Sequence, residues 1–205
     1  MAENDASEEA EGGDEEFFVS SRFAPLPPIF WSFEQDAPFS TCSDCGCSLL
    51  EGNAPYLVEK AFRRVEDAPD EVVFEYALCM ECCQRHREAY SEESLERLEG
   101  YFHQHVDLEA RSQSLLRQDD PTVEPWLARC LFKDTPRERS QEYQICGLCV
   151  EGDLLFQGLP FCLSGEALDE IIELLSPETL GYLGDLGEKL FGLGDLTRPR
   201  VPVLL

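Results

Sequence analysis

Positive charge is scarce in this chain. Sixteen lysines and arginines stand against 42 aspartates and glutamates over 205 residues, a formal net charge of −26. Such a surface repels phosphate backbones and anionic lipid within a Debye length of about 8 Å. Generic nucleic-acid binding by the whole surface is therefore disfavoured. Long apolar runs are also lacking: nothing approaches the ~20 residues that cross a bilayer, and no membrane association is expected. A secretory leader is missing as well, because the first 16 residues, MAENDASEEAEGGDEE, hold eight acids and no base, the reverse of a basic segment followed by an apolar one. They predict a solvated, disordered tail, with an acidic lure for a basic partner as the sharper alternative. No nucleotide-binding glycine loop, GxSxG or HExxH occurs. His86, His103 and His105 lie on helical segments without a carboxylate motif and read as packed or solvent-facing.

What is present begins with 43% hydrophobic residues, enough to exclude wholesale disorder. The length fits one or two domains. Ten cysteines in a chain without an export signal, expected in the cytoplasm, are poorly explained as disulfides. Metal ligation, redox chemistry and buried thiols remain, and spacing must choose among them.

Along the chain, 1–16 reads as the acidic tail and 17–40 as an aromatic, proline-rich arm. Seven rings (Phe17, Phe18, Phe23, Phe30, Trp31, Phe33, Phe39) and four prolines occur between 17 and 39, excluding a regular helix or a central strand. The arm either lies across the body and buries its rings or docks into another protein. Segment 41–116 follows, with a cysteine-rich turn, strands at 55–65 and 72–78 joined as an antiparallel hairpin, and a helix from about Met80. One longer helix is expected over 91–116, with Ser91 as its N-cap. A connecting segment spans 117–140, with a short helix at 125–132. The last unit, 141–205, reads strand, turn, strand, then a helix capped by Ser164 and another begun by Ser176-Pro177, ending in an extended RPRVPVLL.

The strong chemical signal is Cys42-x2-Cys45 paired with Cys79-x2-Cys82. Two residues between thiolates let one turn aim both sulfurs at a common point, and four thiolates complete a tetrahedron with bonds of about 2.3 Å. The second pair falls where backbone N–H groups of a starting helix favour anionic sulfur. A four-thiolate site has no open coordination position, so it is structural rather than catalytic. Cys47 competes with Cys45 for its place, and Cys83 with Cys82. The CxxC spacing favours Cys45 and Cys82, leaving the other two as buried thiols, with membership of a binuclear cluster as the alternative.

A turn bearing two ligands, then a hairpin, then a helix bearing the last two resembles a treble-clef zinc finger over residues 42–90. The resemblance implies zinc, with Cys42 and Cys45 as knuckle ligands and Cys79 and Cys82 as helix ligands. That class includes nucleic-acid binders, protein-binding modules and purely structural units, so it fixes no task. Cys146-x2-Cys149 followed by Cys162 is a weaker echo. With Cys130 it makes either a second zinc site or a degenerate, metal-free copy; if the echo is real, it implies an internal duplication. One possible foothold for nucleic acid is Lys60, Arg63, Arg64, Arg85 and Arg87, interleaved with Glu59, Glu66, Asp67, Glu81 and Glu88. The expectation is an α+β, zinc-stabilised, non-enzymatic protein that binds another protein. Nucleic-acid binding and a CxxC dithiol redox protein are the alternatives.

Overall fold

The computed structural model describes residues 22–116 and 122–192. The acidic tail, Phe17, Phe18, Asp119-Asp120 and RPRVPVLL lie outside the described residues. The fold is mixed α/β. Strand β1 (Arg22–Pro25) precedes a first hairpin, β2 (Pro55–Arg63) and β3 (Glu71–Cys79), which runs directly into helix α1 (Met80–Glu88). Helices α2 (Glu92–His105), α3 (Leu108–Leu116) and α4 (Glu124–Leu127) follow. The second hairpin unit comprises β4 (Glu142–Val150), β5 (Asp153–Phe156), β6 (Phe161–Ser164), α5 (Gly165–Leu174) and α6 (Pro177–Phe191).

The strands form one antiparallel sheet in the order β1-β5-β4-β2-β3, with β6 pairing β4 beyond the end of β5. The two hairpins meet along the β2–β4 ladder, from Pro55↔Val150 to Arg63↔Glu142. This makes β2 a central strand covered on both sides, so seven consecutive residues from Tyr56 to Phe62 are buried without alternation. Two of them are ionisable, and strand geometry sends them to opposite faces. Glu59 accepts the Tyr76 hydroxyl on one face. On the other, Lys60 pairs with Glu75 at 2.8 Å and donates to the Trp31 carbonyl at 2.5 Å.

These faces have different covers. On the Glu59 face, Phe191 of α6 stacks on Phe74 at 4.7 Å and lies over Tyr76. On the Lys60 face lies the aromatic arm, where Phe30 is fully buried against Gly147. A Cβ at that glycine would sit 2.6 Å from the ring. The Glu75 carboxylate also accepts from Phe33 N–H at 2.7 Å and from the Ser32 hydroxyl. The arm is therefore clamped to the sheet, with Phe33 turned outward at 76% exposure. Its prolines permit a short strand only at the sheet edge.

The expected single helix over 91–116 is two helices. Val106 is extended, and the Asp107 carboxylate accepts from Ala110 N–H at 2.8 Å, capping a new start. The helix expected at 125–132 stops at Leu127, because residues 129–136 form a turn. The serine caps are present: Ser91, Ser164 and Ser176 accept from Ser94, Ala167 and Thr179 N–H respectively.

Two caps also lock the hairpin units together. Ser91 N–H donates to Thr179 Oγ1 at 3.0 Å, Ser176 N–H donates to Ser94 Oγ at 2.8 Å, and the Ser91 and Ser176 hydroxyls are 2.8 Å apart. From this joint each unit's second helix crosses to the other's first. Tyr101 of α2 donates to Glu170 of α5 at 2.7 Å, and the Tyr182 hydroxyl of α6 meets His86 Nδ1 of α1.

Candidate metal centre

The first ligand pair sits on a tight turn closed by backbone bonds. Cys42 N–H donates to Cys47 O at 2.8 Å, Gly46 N–H donates to Cys42 O at 2.9 Å, and Thr41 bridges to Ser48. Gly46 takes φ +72°, which glycine adopts at little cost. The turn is held against the strand-to-helix junction: Ser43 N–H donates to Ala77 O at 2.8 Å, and Cys79 N–H donates to Cys42 Sγ at 3.4 Å. Cys79 ends β3 and caps α1, and Cys82 lies one turn further on.

Five sulfurs converge there. Those of Cys42, Cys45, Cys47 and Cys79 all lie within 4.8 Å of one another. Cys82 Sγ is 3.7 Å from Cys42 Sγ, and Cys45 Sγ is 3.8 Å from Cys79 Sγ. A tetrahedron with metal–sulfur bonds of about 2.3 Å has sulfur–sulfur edges of about 3.8 Å. The two contacts have the length of such edges, and the group lying mutually within 4.8 Å, Cys42, Cys45, Cys47 and Cys79, could hold a metal ion. Cys47 is the fifth sulfur and, contrary to the buried thiol expected of it, is exposed, because the knuckle turn carries it on its outer side. Cys83 points elsewhere, half-buried against the core with Sγ toward Leu78 O.

Crowded thiols cannot all ionise without a cation. Cys45 is drawn down to about 6, first by the backbone N–H of Cys47 and then by its thiol. Cys47, on the other side of that bond, is pushed up to about 12. Burial raises Cys82, followed by its contacts with Cys79, Cys45 and Cys42. A divalent ion would reverse that repulsion.

A polar network braces the cage. Arg85 donates to Cys82 Sγ at 2.9 Å and to the Asp44 carboxylate. Asp44 stands inside the knuckle, its side chain 2% exposed, and also binds Lys189 from α6. Burial alone would raise its carboxyl, but hydrogen bonds from Lys189 and Arg85 outweigh that and hold it at about 2. His86 Nε2 lies 3.2 Å from the same carboxylate, off hydrogen-bond geometry, and burial pushes the imidazole's pKa down against the pull of Asp44. Thus His86 is packed, whereas His103 and His105 are exposed. Asp44, Tyr182 and Lys189 escape sequence reasoning, because their contacts join positions as much as 145 apart.

No family model, no curated protein and no solved structure matches this chain.

The second cysteine group is not gathered in this way. Cys146 and Cys149 lie within the regular strand β4 and, three residues apart, point to opposite faces. Cys162 is on β6 opposite Ile145. Burial pushes the thiols of Cys149 and Cys162 up to about 12 and also raises that of Cys146 well above the ordinary thiol value. Among the described residues, only the group at the first knuckle brings three or more His, Cys, Asp or Glu ligand atoms together.

Cys130, however, sits in a turn built like the first one. Cys130 N–H donates to Thr135 O at 2.8 Å, Asp134 N–H donates to Cys130 O at 3.1 Å, and Arg129 bridges to Pro136. Leu131 N–H donates to Cys162 O at 2.8 Å, as Ser43 does to Ala77. Ser164 N–H donates to Cys130 Sγ at 3.2 Å, as Cys79 does to Cys42. The positions matching Cys42, Cys45, Cys79 and Cys82 are Cys130, Lys133, Ser164 and Ala167. The echo expected from Cys146 and Cys149 thus exists in another register.

The basic residues considered for nucleic acid all have carboxylate partners. Lys60 pairs with Glu75, Arg63 with Glu71 and Glu142, Arg64 with Asp70, Arg85 with Asp44, and Arg87 with Glu99.

Proposed function

We propose that the chain is a zinc-stabilised protein-interaction module, non-enzymatic, with one structural ion held by Cys42, Cys45, Cys79 and Cys82 in a treble-clef-like knuckle, hairpin and helix. The observation that carries this reading is the pair of contacts at 3.7 and 3.8 Å, which match the length of tetrahedral edges. Four thiolates suit zinc and leave no position for a substrate. The ion ties the knuckle to the start of α1, and Asp44 passes that order to α6. The task assigned to the ordered body is to present a binding surface. Phe33 supports this: a large apolar side chain on a clamped turn, exposed where most aromatic rings are buried. A reducing compartment such as the cytoplasm suits ten free thiols.

Metal analysis of protein purified without added metal tests the reading, with about one zinc per chain expected for a closed four-thiolate site. Zinc well below that, with thiols that titrate freely and cycle through a Cys79–Cys82 disulfide, would sink it in favour of the dithiol redox alternative. For the interaction role, capture of partners by wild type and by Phe33→Glu is compared. A partner lost only with the variant supports the reading, and identical capture removes Phe33 from it. Nucleic-acid binding is the weaker reading, since the five candidate cations are neutralised within the fold.

A further inference from the structure

The centre has one thiol too many. A tetrahedral ion takes four sulfurs, and five stand around this one. Cys42 with Cys82 and Cys45 with Cys79 occupy the two well-spaced edges. Cys82 also receives an Arg85 N–H at 2.9 Å, a contact rewarded most when the sulfur is anionic. Cys47 is left over. Its backbone cannot leave, because its carbonyl closes the knuckle onto Cys42 N–H. Its sulfur stays within 4.8 Å of those of Cys42, Cys45 and Cys79, so it is the surplus thiol on the ligand set of the zinc reading, and both Cys45 and Cys47 are exposed.

We infer that Cys47 is a resolving thiol, which makes this metal centre an oxidative modification site with peroxides as the reactive class. The inference rests on the zinc reading above. Cys45 is the ligand that meets solvent most openly. Its thiolate sulfur attacks a peroxide oxygen, the O–O bond breaks, hydroxide leaves, and Cys45 becomes a sulfenic acid. The Cys47 sulfur then attacks the Cys45 sulfur, the S–S bond forms, and the sulfenic oxygen departs as water with the Cys47 proton. Two thiol groups lose two electrons and one peroxide gains them. The ion, left with three ligands, is released. A tight turn with Gly46 between the two cysteines keeps their sulfurs within 4.8 Å of each other, against a disulfide bond of about 2.05 Å.

The test starts from full-length wild type and Cys47→Ser, each analysed first for zinc. Hydrogen peroxide is then added, a chromogenic chelator follows released zinc, and mass spectrometry follows the peptide containing Cys45 and Cys47. Wild type should release zinc together with a loss of about 2 Da in that peptide. Cys47→Ser should hold the same zinc, show no such mass loss in that peptide, and accumulate a sulfenic acid at Cys45 that a dimedone probe captures. A Cys47→Ser protein in which dimedone captures no more sulfenic acid than in wild type, or a wild-type disulfide that omits Cys47, overturns the inference. A Cys47→Ser protein purified without zinc overturns it too, because Cys47 is then a ligand. If wild type itself carries no zinc, the structural-zinc reading fails separately. The mass shift in metal-free protein then decides whether Cys47 still pairs with Cys45.

Discussion

The two knuckles of this molecule share a backbone and differ in what fills it. Each has a turn closed by a bond from the first cysteine to the residue five further on, a residue with φ above +50° at the bend (Gly46, Asp134), and a tie from the turn to the strand that feeds a helix. In the first, five sulfurs suited to a cation converge. In the second, Cys130 alone keeps its place, as acceptor of the Ser164 N–H and hydroxyl. Lys133, at the position of Cys45, pairs with Glu170, which also takes the Tyr101 hydroxyl. Asp134 supplies the left-handed residue that Gly46 supplies in the first turn, and binds Arg129. The same turn therefore carries a group that could hold a metal ion in one copy and protein charge and hydrogen bonds in the other. Only the metal version depends on an external ligand, and in small zinc modules such a ligand is worth on the order of 10 kcal/mol.

The comparison breaks most visibly when each first cysteine is removed. Cys42→Ser should abolish stoichiometric zinc and lower the urea midpoint by an amount similar to that caused by a chelator on wild type, and the chelator should then do little more. Cys130→Ser should leave zinc unchanged and cost only about 1 kcal/mol, the scale of an ordinary buried hydrogen-bond acceptor. Equal losses would mean that the first centre holds no ion of consequence. The converse change fills the second turn. Lys133→Cys, Ser164→Cys and Ala167→Cys together should raise bound zinc from one to two per chain, as measured by metal analysis and by the charge-transfer absorption of cobalt-substituted protein. No second equivalent would show that the matched backbone bonds do not align the side chains.

A third difference lies in the strands. Tyr56 faces Cys79 across the first hairpin as Tyr143 faces Ser164 across the second, so Lys60 corresponds to Gly147. The arm uses both: Lys60 holds the Trp31 carbonyl, and the missing side chain at Gly147 admits the Phe30 ring. Gly147→Ala places a methyl 2.6 Å from that ring. It should cost about 1–3 kcal/mol by overpacking, measured by denaturant titration, with increased protease sensitivity confined to residues 22–39. A neutral effect would detach the arm from the sheet's stability.

How far the sequence reveals this arrangement depends on the length scale of each feature. Cys42, Cys45, Cys79 and Cys82 are legible because two-residue spacing is a local geometric device, and both hairpins and all three serine caps are local too. The break at Val106-Asp107 is missed because Leu95, Leu98, Phe102 and Val106 keep helical spacing up to the residue that ends the helix. The register of the echo is missed for a different reason. Cys146-x2-Cys149 has a ligand's spacing, but a strand places such residues on opposite faces, whereas Cys130 stands alone in sequence and gains its meaning only from Ser164, 34 positions away. The bracing of Asp44 by Lys189 is longer-ranged still and leaves no local trace.

The smallest effect separates the two ways of holding a turn by pH. The Glu170 carboxyl lies below its ordinary 4.5, first because of Lys133 and then because of Tyr101. A carboxylate with a depressed folded-state value adds stability that is present above the unfolded value and is lost as pH falls through the folded one. The difference in denaturant midpoint between wild type and Glu170→Gln should therefore be full at neutral pH and shrink below about 4.5. Zinc held as proposed would also leave in that range as thiolates protonate, but it would leave both proteins alike, so the difference still reports on Glu170. A gap that stays constant from neutral pH to 3.5 would mean that Glu170 acts through packing, and that charge does not replace metal in the second knuckle.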